Sequence, residues 1–132
     1  MTDDDERADG TTQTFADVTE GDTHTFGTVT VTEDDIVSFA EQFDPQPFHL
    51  ADAETAEDSF HEGLIASGWH TAALSMRLFV EGYLTKFSGH IGRGVDDMRF
   101  LAPVRPGDTL SMPGEVTHTA PPDRKAGSGD VR

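Results

Sequence analysis

The fold class follows from SGWHTAALSMRLFVEGY, residues 67–83 of a chain of 132 residues. Apolar side chains recur in it at spacings of three and four, which is the period of an α-helix. These side chains are Ala72, Ala73, Met76, Phe79, Val80 and Tyr83. Because they surround most of the circumference, we expect a buried helix that begins at Ser67 or Gly68 and is weakened or ended by Gly82.

Strands are predicted on both sides of this helix. Residues 23–31 alternate threonine with apolar side chains, which is typical of a β-strand. Residues 92–101 and 109–119 are predicted as two further strands, joined through RPGD at 105–108, with proline and glycine where a turn favours them. One long buried helix combined with antiparallel strands indicates an α+β fold.

A short helix is predicted directly after the first strand. Its start is TEDD at 32–35, where Thr32 can cap the helix and the acidic first turn complements the helix dipole. Pro45 stops the helix, which therefore delivers Asp44 at its C-terminal end. Residues 51–62 are predicted to be helical and then irregular.

The segment FDPQPFH at 43–49 places a carboxylate five residues before an imidazole. Its two prolines keep the segment from being helical and make it stiff, so Asp44 and His49 can converge as an acid–base pair. The competing interpretation is that an aspartate before a proline at a helix end is an ordinary turn or cap residue.

The composition indicates a folded, strongly acidic protein. Nine phenylalanines and the periodic apolar stretches favour a folded centre over disorder. Acidic residues outnumber basic ones by 25 to 9, which gives a formal net charge of −16. In molar salt the Debye length falls to ~3 Å, so such a surface hardly repels itself there. We therefore predict a halophilic protein of a high-salt cytoplasm.

Several classes of function are disfavoured by the same composition. Lysine and arginine form no basic stripe, which argues against a nucleic-acid partner. The chain has no cysteine, so disulfides and thiolate sites are excluded. No apolar run approaches the ~20 residues of a membrane span, and the N-terminus is acidic where a signal peptide is basic. We expect a cytoplasmic protein without a membrane partner.

Two blocks of sequence carry a family resemblance. The first is DPQPFH at 44–49 with FHEGLIASGWHT at 60–71, and the second is RFLAPVRPGDTL at 99–110. In order and spacing they resemble the MaoC-like, or R-specific enoyl-CoA hydratase, family. The resemblance implies the hotdog fold, in which an antiparallel sheet wraps the long central helix and two subunits pair as a homodimer. Family members usually add two strands after the position of Thr119, which leaves open that the sheet lacks its last strands.

Three regions are expected along the chain. Residues 1–14 are predicted to be an acidic disordered tail and residues 15–120 the MaoC-like hotdog domain. Residues 121–132 are predicted to be a polar, flexible C-terminus.

The resemblance implies an acyl-CoA hydratase or dehydratase, which adds water to a 2-enoyl thioester or removes it from a 3-hydroxyacyl thioester. By resemblance, Asp44 and His49 hold one water and share the two proton transfers. Gly68 lies where the family's oxyanion donor falls, and its backbone N–H would stabilise the enolate. Coenzyme A enters as part of the substrate, with no other cofactor. No metal is expected, because the remaining histidines lack a ligand spacing.

Three residues are predicted to bind substrate or to support the pair. Gln46 stands where the family usually has asparagine, so its orienting hydrogen bond comes from a longer side chain. Trp69 is either a core residue or the floor of the acyl tunnel, and Met76 would widen or dry the acyl pocket. Surface ion pairing is the default for the scarce arginines, although one of them would meet coenzyme A phosphate. These are Arg93, Arg99 and Arg105.

Two other functions are carried as alternatives. The first is a non-catalytic acyl-thioester-binding or assembly subunit. The second is a hotdog thioesterase, which needs a carboxylate on the central helix facing the thioester. Glu81 is the only carboxylate well inside that helix, and it lies near the far end, so this alternative is the weaker one.

Overall fold

The computed structural model describes residues 12–50, 61–121 and 129–132 of the chain. The described residues form two α-helices and four β-strands. In chain order these are β1 (Thr23–Thr30), α1 (Glu33–Phe43), α2 (Gly68–Gly82), β2 (Thr109–Glu115), β3 (Thr119–Ala120) and β4 (Asp130–Val131). Short 3₁₀ turns lie at Phe15–Asp17, Pro47–His49 and Leu84–Lys86. The α+β class is therefore confirmed, whereas the helix predicted within 51–62 lies largely outside the described residues.

The short helix α1 forms as its sequence predicts. The Thr32 hydroxyl caps it by accepting the Asp35 N–H at 3.1 Å, and three acidic residues occupy its first turn. Ile36 and Ala40 are fully buried against the core, which fixes the orientation of the helix. The helix ends at Phe43, and Asp44 caps its C-terminus.

The strands pair as two separate antiparallel ribbons. In the larger ribbon β1 pairs with β2, with Thr23 opposite Glu115 and Thr30 opposite Thr109. The predicted turn at 105–108 precedes β2, and its Gly107 adopts a φ of 91° that favours glycine. The predicted strand at 109–119 is divided: β2 ends at Glu115, and β3 pairs instead with β4.

Helix α2 packs across β1 and begins and ends where the sequence predicts. Ser67 is its N-cap, and Gly82 is its last residue. Phe26, Leu78 and Tyr83 form the core between the helix and the ribbon. Glycine is needed at 82, because a Cβ there would lie 2.8 Å from the Phe26 Cα and closer still to the Phe26 carbonyl oxygen.

Gly82→Ala is expected to lower the free energy of unfolding by about 1–3 kcal/mol, since the added methyl group must push α2 away from the β1 backbone. This loss exceeds what alanine gains in helix propensity. Chemical unfolding in molar potassium chloride measures the change. Gly89→Ala is the matched control, because no atom lies within 4 Å of a Cβ at that position. Equal stability of both variants would contradict the close approach.

Two predictions about the centre of the fold are wrong. Residues 92–101 form no strand, and α2 is not buried around most of its circumference. Within α2 only His70 and Leu78 are buried, whereas Met76 and Val80 are exposed. Among the described residues no strand pairs with 92–101, and glycines at 92 and 94 weaken its strand propensity. A helical period shows which side chains share a face, but a second layer must cover that face to bury it.

Candidate active site

The loop after α1 brings Asp44 and His49 together. The Gln46 N–H donates to the Asp44 carbonyl at 2.8 Å, and the His49 N–H donates to the Gln46 carbonyl at 2.9 Å. These two turns fold the segment back on itself, so that His49 Nε2 lies 3.3 Å from Asp44 Oδ2. Asp44 and Gln46 are non-helical, as the prolines predicted, whereas Pro47–His49 forms a 3₁₀ turn within the segment. The carboxylate faces the imidazole.

The second ring nitrogen of His49, Nδ1, contacts the backbone. Nδ1 lies 2.7 Å from the carbonyl oxygen of Ile65, and the side chain is only 5% exposed. A carbonyl can only accept a hydrogen bond, so Nδ1 carries the hydrogen. Proton exchange at this residue is thereby left to Nε2, the atom that faces Asp44.

The Asp44 side chain is 20% exposed, and the Gln46 amide donates to its Oδ1 at 2.7 Å. The Ser67 side chain is the largest cause that holds the pKa of Asp44 below its ordinary value. Burial opposes this shift, while the bond from Gln46 and the charge of His49 lower the pKa further.

Sequence reasoning did not identify Ser67 as part of this site. The sequence indicated only a helix start there, whereas the residue is 1% exposed and its side chain lowers the pKa of Asp44. Its position before the helix gave a signal for capping, and the hydroxyl does accept the Trp69 N–H at 3.2 Å. Asp44 lies on a loop more than twenty residues earlier in the chain, and no local sequence pattern links it to Ser67.

Gly68 is the first residue of α2, where backbone N–H groups point out of the helix. The Phe100 ring lies directly over it, since a Cβ on Gly68 would be 2.5–2.8 Å from three of the ring carbons. Trp69 meets the same ring edge-on, with centroids 6.1 Å apart. Trp69 is 63% exposed and Met76 is also exposed, so the core interpretation of Trp69 is wrong.

The remaining candidate side chains have other partners. Arg93 and Arg99 form surface ion pairs with Asp130 and Asp97, at 2.8 and 2.9 Å. Arg105 donates instead to the carbonyl oxygen of His61 at 2.7 Å. The default of surface pairing therefore holds for Arg93 and Arg99.

Two other histidines, His61 and His70, contact aromatic rings of their own. The ring of His61 lies 4.8 Å from that of Phe48, beside the loop that carries the pair. His70 lines a different cavity of about 290 Å³, where its ring stacks on Phe39 at 4.9 Å. Burial lowers the pKa of His70, against an opposing effect of Asp35, which favours a neutral ring.

Neither a metal-binding cluster nor a membrane-spanning helix occurs in the described part of the chain. In residues 12–50, 61–121 and 129–132, no three or more histidine, aspartate or glutamate side chains are placed to hold a metal ion. Neither described helix is long and apolar enough to cross a bilayer.

The chain is similar to known proteins over most of its length. The family described as MaoC like domain matches residues 14–131. A MaoC-like dehydratase from Rhodospirillum rubrum is 39% identical with a TM-score of 0.81, over 90% of this chain and 80% of that one. A monoamine oxidase regulatory protein from Archaeoglobus fulgidus is 32% identical with a TM-score of 0.78, over 90% and 78%. R-hydratase PhaJ1 from Pseudomonas aeruginosa is 28% identical with a TM-score of 0.69, over 89% and 79%.

The family match spans nearly the whole chain and includes both sequence blocks that carried the resemblance. The chain therefore belongs to the MaoC-like domain family and has the hotdog fold.

Proposed function

We propose that this protein is an acyl-CoA hydratase or dehydratase, a hydro-lyase acting on 2-enoyl and 3-hydroxyacyl thioesters. The observation that carries the proposal is the 3.3 Å approach of Asp44 Oδ2 to His49 Nε2 on a stiff loop. The neighbours described as a MaoC-like dehydratase and an R-hydratase support the same reaction class. The two groups needed for the two proton transfers, one from the water and one to the α-carbon, lie side by side.

The reaction needs one water, one base and one acid. Asp44 accepts a proton from the water as the water oxygen bonds to the β-carbon, and the double-bond electrons move onto the thioester as an enolate. His49 acts in its imidazolium form, with a hydrogen on each ring nitrogen, and donates the Nε2 proton to the α-carbon. Asp44 then passes its new proton to His49, which restores both groups. The net change is one water added across the double bond, and dehydration is the reverse.

The N-terminus of α2 would stabilise the enolate. The Gly68 N–H and the helix dipole supply a donor for the thioester oxygen, an effect worth roughly 3 kcal/mol at similar oxyanion sites. Because the Phe100 ring covers this residue, we propose that the ring moves when a thioester binds. Trp69 and Met76 lie exposed on the same helix and are proposed as contacts of the acyl group.

Adding water changes no overall oxidation state, so the proposed reaction requires no redox cofactor. We propose coenzyme A as the carrier part of the substrate, without a further cofactor. The acidic composition supports our proposal of a halophilic, cytoplasmic setting, where salt screens the repulsion between the protein and the coenzyme A phosphates.

Purified protein in molar potassium chloride tests the proposal. Loss of the enoyl absorbance of short 2-enoyl-CoA substrates, with formation of the 3-hydroxyacyl product, is the expected result. A folded protein that binds the thioester without turnover would overturn the proposal and support a non-catalytic binding subunit. That alternative is favoured by the Phe100 ring over Gly68 and by the similarity to a regulatory protein.

The thioesterase alternative has little support in the geometry. Glu81 lies exposed near the end of α2 and pairs with Arg77 at 3.4 Å. A carboxylate that serves the thioester would lie near the helix start, beside Gly68.

We also propose that the protein is a homodimer, formed through residues 91–101. This segment is not a strand, exposes several large apolar side chains and pairs with no strand among the described residues. They are Ile91, Val95, Met98, Phe100 and Leu101. A second copy of the same segment would cover these side chains and satisfy the backbone groups that a strand edge leaves open.

Leu101→Glu is expected to shift the protein from dimer to monomer, because Leu101 is 88% exposed and a buried carboxylate would oppose association. Sedimentation equilibrium in molar potassium chloride measures the mass. Gln42→Glu adds the same charge on the exposed face of α1 and should leave the dimer intact. A monomeric wild-type protein would contradict the proposal.

A further inference from the structure

The backbone at residues 61–63 adopts an uncommon conformation. Glu62 has a φ of 55° and Gly63 a φ of 130°, so two consecutive residues lie at positive φ. Glycine reaches such values readily, whereas a glutamate persists there only where the surrounding structure holds it. Arg105 supplies that hold: its guanidinium donates to the His61 carbonyl at 2.7 Å and to the Glu62 carbonyl at 3.4 Å. One side chain from a distant part of the chain therefore fixes this backbone.

The segment that follows residues 61–63 is bonded to the loop of the acid–base pair. The carbonyl oxygen of Ile65 lies 2.7 Å from His49 Nδ1, and the Ile65 N–H donates to the Phe48 carbonyl at 3.1 Å. Ile65 is only 7% exposed, so water competes little for either bond. The position of the Ile65 backbone therefore sets the position of the His49 ring.

We propose that Arg105 is a positioning residue of the proposed hydratase: by holding the backbone at 61–63, it places the Ile65 carbonyl that fixes His49. This inference rests on the proposed function. With Nδ1 bonded to that carbonyl, Nε2 is the ring nitrogen that faces Asp44, at 3.3 Å. A shift of the backbone between 61 and 65 would draw the carbonyl away from Nδ1 and release the ring from this orientation.

Arg105 itself belongs to a turn that is bonded to the core. Its N–H donates to Asp108 Oδ2 at 2.8 Å, and the Asp108 N–H donates to its carbonyl at 3.0 Å. The Gly107 N–H donates to the Val31 carbonyl, and the Val31 N–H donates to the Asp108 carbonyl, both at 2.8 Å. Val31 is 1% exposed and lies in the hydrophobic core. The side chain of Arg105 thus connects the core to the backbone at 61–63.

A planar guanidinium suits this role better than an ammonium group. Its nitrogens form a rigid fork that can donate to two successive carbonyls, whereas a lysine ammonium is a single point of charge. Gly63 allows the close approach, because a Cβ there would lie 3.1 Å from Arg105 Nη1. Surface ion pairing, the role of Arg93 and Arg99, does not account for Arg105, whose guanidinium bonds to backbone carbonyls.

Arg105→Lys keeps the charge but removes the fork. We expect kcat to fall roughly 10- to 100-fold, as for a small misplacement of a catalytic group, with little change in KM. Arg77→Lys is the matched control, because Arg77 forms an exposed ion pair with Glu81 and should leave kcat unchanged. Adding Glu62→Asn to Arg105→Lys should recover part of the lost kcat, since asparagine tolerates positive φ better than glutamate.

NMR of nitrogen-15-labelled histidine separates this inference from the proposed function. With His49 assigned by its absence in His49→Asn, the spectra show which ring nitrogen carries the hydrogen when the ring is neutral, without any turnover. We expect the hydrogen on Nδ1 in the wild type and in Arg77→Lys, and a mixture of both forms in Arg105→Lys. Arg105→Gln also lacks the fork and gives the same readout should Arg105→Lys fail to fold.

The mixture of ring forms supports the inference even if the wild-type protein has no hydratase activity, a result that would overturn the proposed function alone. A folded, active Arg105→Lys whose His49 spectrum and kcat equal those of the wild type overturns the inference and leaves the proposed function standing.

Discussion

Asp44→Asn is expected to lower kcat/KM for enoyl-CoA hydration by ~10²- to 10⁴-fold, the contribution typical of a positioned acid or base. The amide keeps the size of the side chain but cannot take a proton from water at neutral pH. His49 then faces an uncharged group across the 3.3 Å gap and loses the partner that returns its proton. The change is measured by initial rates from the enoyl absorbance in molar potassium chloride.

The matched control is Asp34→Asn, which removes the same charge from the exposed first turn of α1. Activity close to that of the wild type is expected for this control. If Asp44→Asn retained full activity while its circular dichroism stayed native, Asp44 would be the turn or cap residue of the competing interpretation.

His49→Asn is expected to cause a similar ~10²- to 10⁴-fold loss, for a reason specific to one ring nitrogen. The asparagine amide can still donate to the Ile65 carbonyl as Nδ1 does, but nothing replaces Nε2 opposite Asp44. The fold should therefore survive while proton exchange is lost. Both rate and thermal unfolding are measured, so that inactivity through unfolding is recognised.

The double variant Asp44→Asn/His49→Asn should lose little more than either single variant, because two groups that act as one unit are not additive. Losses that instead multiply would show that the two residues act independently. His49→Gln complements this test, since it places an amide near Nε2 but abandons the Ile65 carbonyl, and it should reduce stability as well as rate.

Local sequence signals predicted the elements whose ends are set by local chemistry. The Thr32 cap, the stop before Pro45 and the glycine at the end of α2 each act within one helical turn, and each boundary is confirmed. The stiff loop was likewise predictable, because proline restricts the backbone wherever it occurs. The same loop brings Asp44 and His49 together, since both residues lie on this seven-residue segment.

Features that depend on distant partners were not predictable in the same way. The strand expected at 92–101 contains two glycines and finds no neighbouring strand among the described residues, and strand propensity depends strongly on such neighbours. Burial of α2 was overestimated for the same reason, because the covering layer was assumed. Ser67 was missed because Asp44, the residue whose pKa it lowers, lies on another segment, and the domain boundaries at 14 and 120 stay predictions.

The Arg105 contact behaves differently from the other arginine contacts when the salt concentration changes. Its guanidinium donates to the carbonyls of His61 and Glu62, which carry no net charge. Exposed ion pairs such as that of Arg93 with Asp130 are screened in molar salt, whereas a partly buried hydrogen bond to a neutral acceptor is weakened far less. The turn at 105–108 thus stays hydrogen-bonded to the segment that enters α2 at salt concentrations that screen the surface ion pairs.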